Sequence, residues 1–229
     1  NLVVDSQALS FEREVVQNER RFRNENNPDG KLFEKLFETA FLKHSYHWPI
    51  IGYEKDLSVV SAQECLEFYK AHYAPNHATI VVVGDVLASH VAQVVKKHYG
   101  TTKPSLLNKK ILEDEPKQTM ERRRAEEIKA PVEKLIIGYR IPSVEHPDIP
   151  ALFVLASILG QGKSSILKHK LVDGGIASSV YVEPSESKDS SLLFLGMDMQ
   201  KGKAARHALK IIDRELNLIQ KGLITEEQV

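Results

Sequence analysis

The sequence predicts an α+β chain of two domains. Apolar residues recur at helical spacing in several segments, short β-branched runs lie between them, and the composition breaks near the middle. The 229 residues, 42% of them hydrophobic, can bury a substantial core and allow one or two domains by length. The break decides for two. It spans 101–118, where Pro104 and Pro116 interrupt a polar stretch with no sustained period, so the expected boundaries are 1–100, a linker 101–118, and 119–229.

The first helix is expected over about 10–24. It stops at Asn26-Asn27-Pro28-Asp29-Gly30, a strong breaker. A second, over 31–41, carries Leu32, Phe33, Leu36, Phe37 and Ala40 as a core-facing stripe. His44 to Trp48 reads as a loop whose two histidines more readily serve structure than metal. Ser61 followed by Glu64 is a capping-box arrangement, which starts a helix running to about residue 73. The run 78–84 reads as a buried strand, and Val91, Val94 and Val95 mark a helix ending near Tyr99. Beyond the linker, strands are expected at 119–128, 133–141, 177–182 and 191–197. Helices are expected at 149–159, 164–171 and 204–220, and Thr225 reads as the cap of one more.

Composition narrows the function classes. Lys plus Arg and Asp plus Glu both number 31, and a formal charge of zero argues against a nucleic-acid binder. No apolar run approaches the roughly 20 residues of a membrane span, and residues 1–20 show no basic-then-apolar signal pattern. A single cysteine, Cys65, excludes an internal disulfide and a cysteine zinc site. Three motifs are set aside. Gly160-Gln-Gly-Lys163-Ser164 lacks the first glycine of a phosphate loop, because Ser157 stands there. Arg122 to Arg124 reads as a solvated strand face and His146-Pro147-Asp148 as a helix-start turn.

The chemistry concentrates in Glu12 and Glu19. At roughly 100° per residue, Phe11, Val15, Val16 and Phe22 span an arc of about 140°, and the two glutamates lie inside it about 20° apart. The pattern therefore places both carboxylates on the buried side of the helix. An unpaired carboxylate taken out of water costs several kcal/mol or protonates. The pair implies a cation, a metal or a catalytic cleft, unless arginines satisfy two structural glutamates. Seven residues separate them by roughly 10.5 Å along the axis, too far for both to hold one ion. One would bind metal directly and the other would lie behind it.

The run Glu12-Arg13-Glu14-Val15-Val16-Gln17-Asn18-Glu19-Arg20-Arg21, followed by Asn26-Asn27-Pro28-Asp29-Gly30-Lys31-Leu32-Phe33, resembles the pitrilysin/insulinase-like zinc peptidases in their short processing-peptidase branch. The resemblance continues through Tyr73-Ala74-Pro75-Asn76-His77, Gly138-Tyr139-Arg140-Ile141-Pro142, Leu159-Gly160-Gln161-Gly162 and Gly175-Ile176-Ala177-Ser178-Ser179-Val180, in the family's order. It implies tandem, similar α/β-sandwich halves, both incomplete here, joined at the linker. It assigns Glu19 as the third zinc ligand and Glu12 as an auxiliary carboxylate supporting the site. The other two ligands and the general base would come from an upstream His-x-x-Glu-His, a motif absent from these residues. The chain starts with Asn1 and both ends read as cut, so it is expected to be an internal piece of a longer protein. By itself it should neither hold zinc tightly nor cleave peptides.

The resemblance also implies a division of labour. Where the family's second half carries a substrate-positioning tyrosine, this chain has Ser178, and Lys170-Leu171-Val172-Asp173 supplies no arginine. Ser45 likewise stands where the family usually has proline. A homologous partner subunit is expected to bring the Arg/Tyr pair, with a peptide as substrate and one zinc ion in the full-length protein. A bacterial periplasmic or envelope location is expected, with an organellar relative as the alternative. The rival reading is a non-catalytic scaffold or assembly subunit of the same fold.

Overall fold

The computed structural model describes residues 4–106 and 114–223, and the expected cap at Thr225 lies outside them. The chain is a mixture of helix and sheet, as expected. Its contacts divide it into two units, one of Asn1–Arg20 with Ile50–Glu113 and the other of Arg21–Pro49 with Asp114–Val229.

The first unit is helical. Asp5 starts α1 (Ser6–Arg20) by accepting from the Ala8 amide through its carboxylate at 2.7 Å, so this helix begins four residues earlier than the apolar period suggests. Next come α3 (Glu54–Val59), α4 (Ala62–His72) and α5 (Ala88–Tyr99); α2 (Pro28–Ala40) belongs to the second unit. The capping box of α4 forms as expected: Glu64 accepts from the Ser61 amide at 2.8 Å and the Ser61 hydroxyl accepts from the Glu64 amide at 3.2 Å. The expected strand at 78–84 does not form. Ile80 to Val83 run without a ladder and are exposed, Val83 to 93%. A strand is defined by its neighbour, and among the described residues no other strand lies beside this one. Only Arg20 and Ala74 are buried among the described residues of this unit.

The second unit contains the hydrophobic core. After a π-helical turn at Arg21–Glu25, α2 (Pro28–Ala40) starts where the sequence suggests a breaker. Asn27 is its cap, accepting from the Asp29 amide at 3.0 Å, and Pro28 fills the first position, where a missing N–H costs nothing. The first turn of α2 passes so close to the π-turn that a Cβ on Gly30 would lie 1.9 Å from the Arg23 carbonyl oxygen. Glycine is required there.

Strands β1 (Lys134–Ile141), β2 (Ala177–Pro184) and β3 (Ser191–Met199) make an antiparallel sheet in the order β1-β3-β2. As the central strand, β3 is covered on both faces, which explains its nearly unbroken apolar sequence. Leu193, Leu195, Met197 and Met199 join Leu159, Leu167, Leu171, Val182, Ala208 and Ile212 on one side. These come partly from α6 (Ile149–Gly160) and α7 (Ala205–Gln220). Leu192 and Phe194 point the other way, against Leu36, Phe37, Ala40 and Phe41 at the end of α2. The layers are therefore α2, sheet, then α6 and α7. One expectation fails here: 119–128 forms no strand, its local composition finding no partner ladder among the described residues. The expected helix at 164–171 forms slightly later, over 166–173, with Lys168–Asp173 as a π-helical turn.

Candidate functional site

The described part of the candidate site is α1. Three side chains tie it to residues 52–60, the segment that spans α3 and its two ends. Arg13 donates to the Val60 carbonyl at 2.5 Å, Gln17 to the Glu54 carboxylate at 2.8 Å, and Arg20 to the Gly52 carbonyl at 2.7 Å. Gly52 sits at φ +78°, where a side chain would be strained, and the Arg20 guanidinium lies 5.6 Å from the centre of the Tyr53 ring. At roughly 100° per residue, Arg13, Gln17 and Arg20 share an arc of about 60°, and Glu12 and Glu19 lie about 115° around from its centre. The ties fix the rotation of α1 without using the glutamates.

The expectation that Glu12 and Glu19 lie on a buried face is corrected. Glu12 is exposed, Glu19 is half-buried, and the apolar residues flanking them are exposed, Phe11 to 63% and Val15 to 58%. The helical period identified the apolar stripe, but α1 is held here by its polar arc instead. Among the described residues no group of three or more His, Cys, Asp or Glu is placed to hold a metal ion. Glu12 and Glu19 therefore fit a zinc centre only as single carboxylates added to ligands from elsewhere, consistent with their separation along the helix.

The other flagged residues have structural work. His44 Nδ1 accepts from the Tyr46 amide at 3.2 Å and its Nε2 lies 3.5 Å from Asp189, while His47 Nδ1 contacts the Phe41 carbonyl at 2.6 Å. Ser178 is exposed beside a β-bulge, its hydroxyl donating to the Asp198 carbonyl at 3.3 Å. Gly160 closes α6 and Gly162 turns the chain at φ +79°, as the non-phosphate reading requires. His146 Nδ1 accepts from the Asp148 amide at 3.2 Å just before α6. The arginine run is corrected in part: it is on no strand, and Arg122 donates to the Thr39 and Ala40 carbonyls at 3.1 and 2.9 Å. It thereby caps the negative end of α2. Arg124 pairs with Glu38 and Glu126, and Arg123 with Glu121.

Sequence reasoning missed Glu115. Its carboxylate accepts from the amides of Leu42, Lys43 and His44 at 2.8–3.0 Å and lies 3.3 Å from Arg140. Burial alone would raise its pKa. The three backbone donors and Arg140 outweigh burial and hold it below the ordinary carboxylate value. No periodicity or motif marks a lone glutamate in a segment that reads as a linker, so no sequence signal could have found it.

Comparison with known proteins adds the family. A zinc protease of Helicobacter pylori, PqqE, is 33% identical over 224 residues, covering 95% of this chain and 50% of that protein. A probable mitochondrial-processing peptidase subunit beta of Schizosaccharomyces pombe is 22% identical over 165 residues, covering 70% of this chain and 35% of its own length. The crystal structure of a protease from Helicobacter pylori superimposes with a TM-score of 0.85 at 32% identity, covering 99% of this chain and 56% of that one. The chain thus spans about half the length, or less, of the curated relatives it matches. Residues 60–229 match the model of the peptidase M16 inactive domain, and with that match the chain belongs to the M16 peptidases, the pitrilysin-like family its motifs resemble.

Proposed function

We propose that the full-length protein is a zinc-dependent endopeptidase subunit that hydrolyses peptides, and that this chain contributes Glu19 as a metal ligand and Glu12 as a supporting carboxylate. The observation that carries the reading is α1 itself. Two carboxylates share one face, and the helix is held by three ties on another arc, in a chain of a peptidase family. Glu19 would hold the zinc, and Glu12, one face-repeat away, would orient or tune the ligand set. When bound, the metal would supply Lewis-acid polarisation of a scissile carbonyl and an activated water.

The second half supports a division of labour. Ser178 donates to a backbone carbonyl, and Lys170 to Asp173 contains no arginine. A homologous partner subunit bringing an Arg/Tyr pair would complete the site, and the named relative that is itself a peptidase subunit is consistent with this. Full activity from this subunit alone would count against it. The family halves would meet at 101–118, and the location would be the periplasm or envelope of a bacterium, the Helicobacter relative supporting the bacterial source alone.

The deciding experiment is zinc stoichiometry by elemental mass spectrometry on the full-length protein and its Glu19→Gln variant. About one zinc per chain, falling sharply in the variant, is expected. Absence of zinc from both would leave the scaffold subunit as the better account.

A further inference from the structure

We infer that the end of α2 and the loop after it form a carboxylate-binding site, and that the side chain of Glu115 is its resident ligand. The chain leaves α2 through Phe41 in an extended conformation, φ −109° and ψ 131°. The next three amides then converge on one point. Leu42 N–H bridges both carboxylate oxygens at 2.9 and 3.0 Å, and Lys43 and His44 N–H both reach Oε2, at 2.8 and 2.9 Å. Successive backbone donors converging in this way form an anion nest.

A cation completes the site. Arg140 Nη2 lies 3.3 Å from Glu115 Oε1 and donates to the Ala40 carbonyl at 2.9 Å, and its guanidinium stacks 3.9 Å over the Phe41 ring. Those two contacts fix the guanidinium independently of Glu115. Arg122, on the Thr39 and Ala40 carbonyls, neutralises the negative helix end that would otherwise repel an anion. The Glu115 side chain is only 10% exposed. Both oxygens are used, Oε1 by Leu42 and Arg140 and Oε2 by the three amides, so the donor set suits a planar two-oxygen anion. By chemical class the ligand is a monocarboxylate.

The site binds a residue more than 70 positions away in sequence, so it fastens the end of the linker to the α2 loop within the second unit. With the side chain removed, the nest and both arginines remain and should accept a small free carboxylate.

The test is amide hydrogen exchange of residues 42–44 in the full-length protein, for wild type, Glu115→Ala and Glu115→Gln. Protection is expected to fall about tenfold or more in the alanine variant, since charge-assisted donors lose their acceptor. Acetate or formate should restore it, and chloride at equal ionic strength should not. Retained protection in the alanine variant without added carboxylate, or no rescue by acetate, overturns the inference. Glutamine keeps the shape and one acceptor, so it should fall between the two and keeps the test decisive if the alanine variant does not fold. Wild-type protection in the glutamine variant would overturn the requirement for a carboxylate.

Discussion

Gly160→Ala tests how α6 is seated on the sheet. A Cβ at this position would lie 2.4 Å from Val182 Cγ2 and 2.8 Å from the Val182 backbone nitrogen. Ordinary contact begins near 3.4 Å, so helix and strand must separate by about 0.6 Å against the nitrogen alone. The Val182 side chain could rotate away. Its backbone cannot, because β2 is held in register with β3 at Val182 opposite Leu195. Overpacking of this kind costs about 1–3 kcal/mol. Replacing a helical glycine by alanine returns at most about 1 kcal/mol, and less at the last residue of a helix. The clash wins, and a net loss of about 1–2 kcal/mol is expected. The only tryptophan, Trp48, lies in the same unit as α6 and β2, so urea unfolding followed by its fluorescence should show a midpoint lower by roughly 0.5–1 M at a slope of about 2 kcal/mol/M. Adding Val182→Ala should relieve only part of the loss, since the nitrogen contact remains. An unchanged or raised midpoint in Gly160→Ala would refute the close approach.

Two further predictions concern charged side chains. Arg20→Ala removes a charge-assisted bond to the Gly52 carbonyl and a contact with Tyr53; a local loss of about 2–3 kcal/mol is expected, read as faster hydrogen exchange across α1 and residues 52–60. In the full-length protein weaker zinc retention should accompany it, and unchanged exchange would show that Arg20 does not hold the helix. The pKa of Glu115 is depressed in the folded state, so its contribution is fully present above the unfolded carboxylate value near 4.3 and is lost as pH falls through the folded value. The groups facing it are Arg140 and the 42–44 amides, with Arg122 beyond and the His44 ring turned to Asp189 and Tyr46. Wild type should therefore lose more stability than Glu115→Gln on acidification below about pH 4, and parallel acid limbs would contradict the depressed pKa.

The legible features of the sequence are local ones. The Ser61 and Glu64 box needs only four residues, and it forms as expected. Asn27-Pro28 reads as a stop and is a start, because a capping asparagine and a first-turn proline interrupt the preceding helix and nucleate the next one. Strands are legible only where a ladder completes them. Residues 80–83 and 192–195 are both apolar runs, yet the second lies between two partner strands and the first is exposed. Glu12 and Glu19 show the same limit: the period places them on one stripe correctly, but which stripe faces the packing is decided by Arg13, Gln17 and Arg20, whose acceptors are 32–47 residues away.

That limit bears on the chemistry. The stripe around the glutamates has the composition of buried positions, and covering a Phe or Val side chain is worth about 1.5–3 kcal/mol each. Any surface that covers the whole stripe, from Phe11 and Val15, exposed to 63% and 58%, round to Val16, also takes Glu12, which lies between Val15 and Val16 on the helical wheel, out of water. A carboxylate so buried costs more than the apolar gain unless a cation or several donors accompany it. On the proposed zinc reading, packing of the α1 stripe and supply of a cation near Glu12 are therefore coupled, so zinc binding and burial of Phe11 should rise and fall together. Phe11→Ser should weaken zinc retention in the full-length protein even though the substitution removes no ligand. Full retention in that variant would separate the two and refute the coupling.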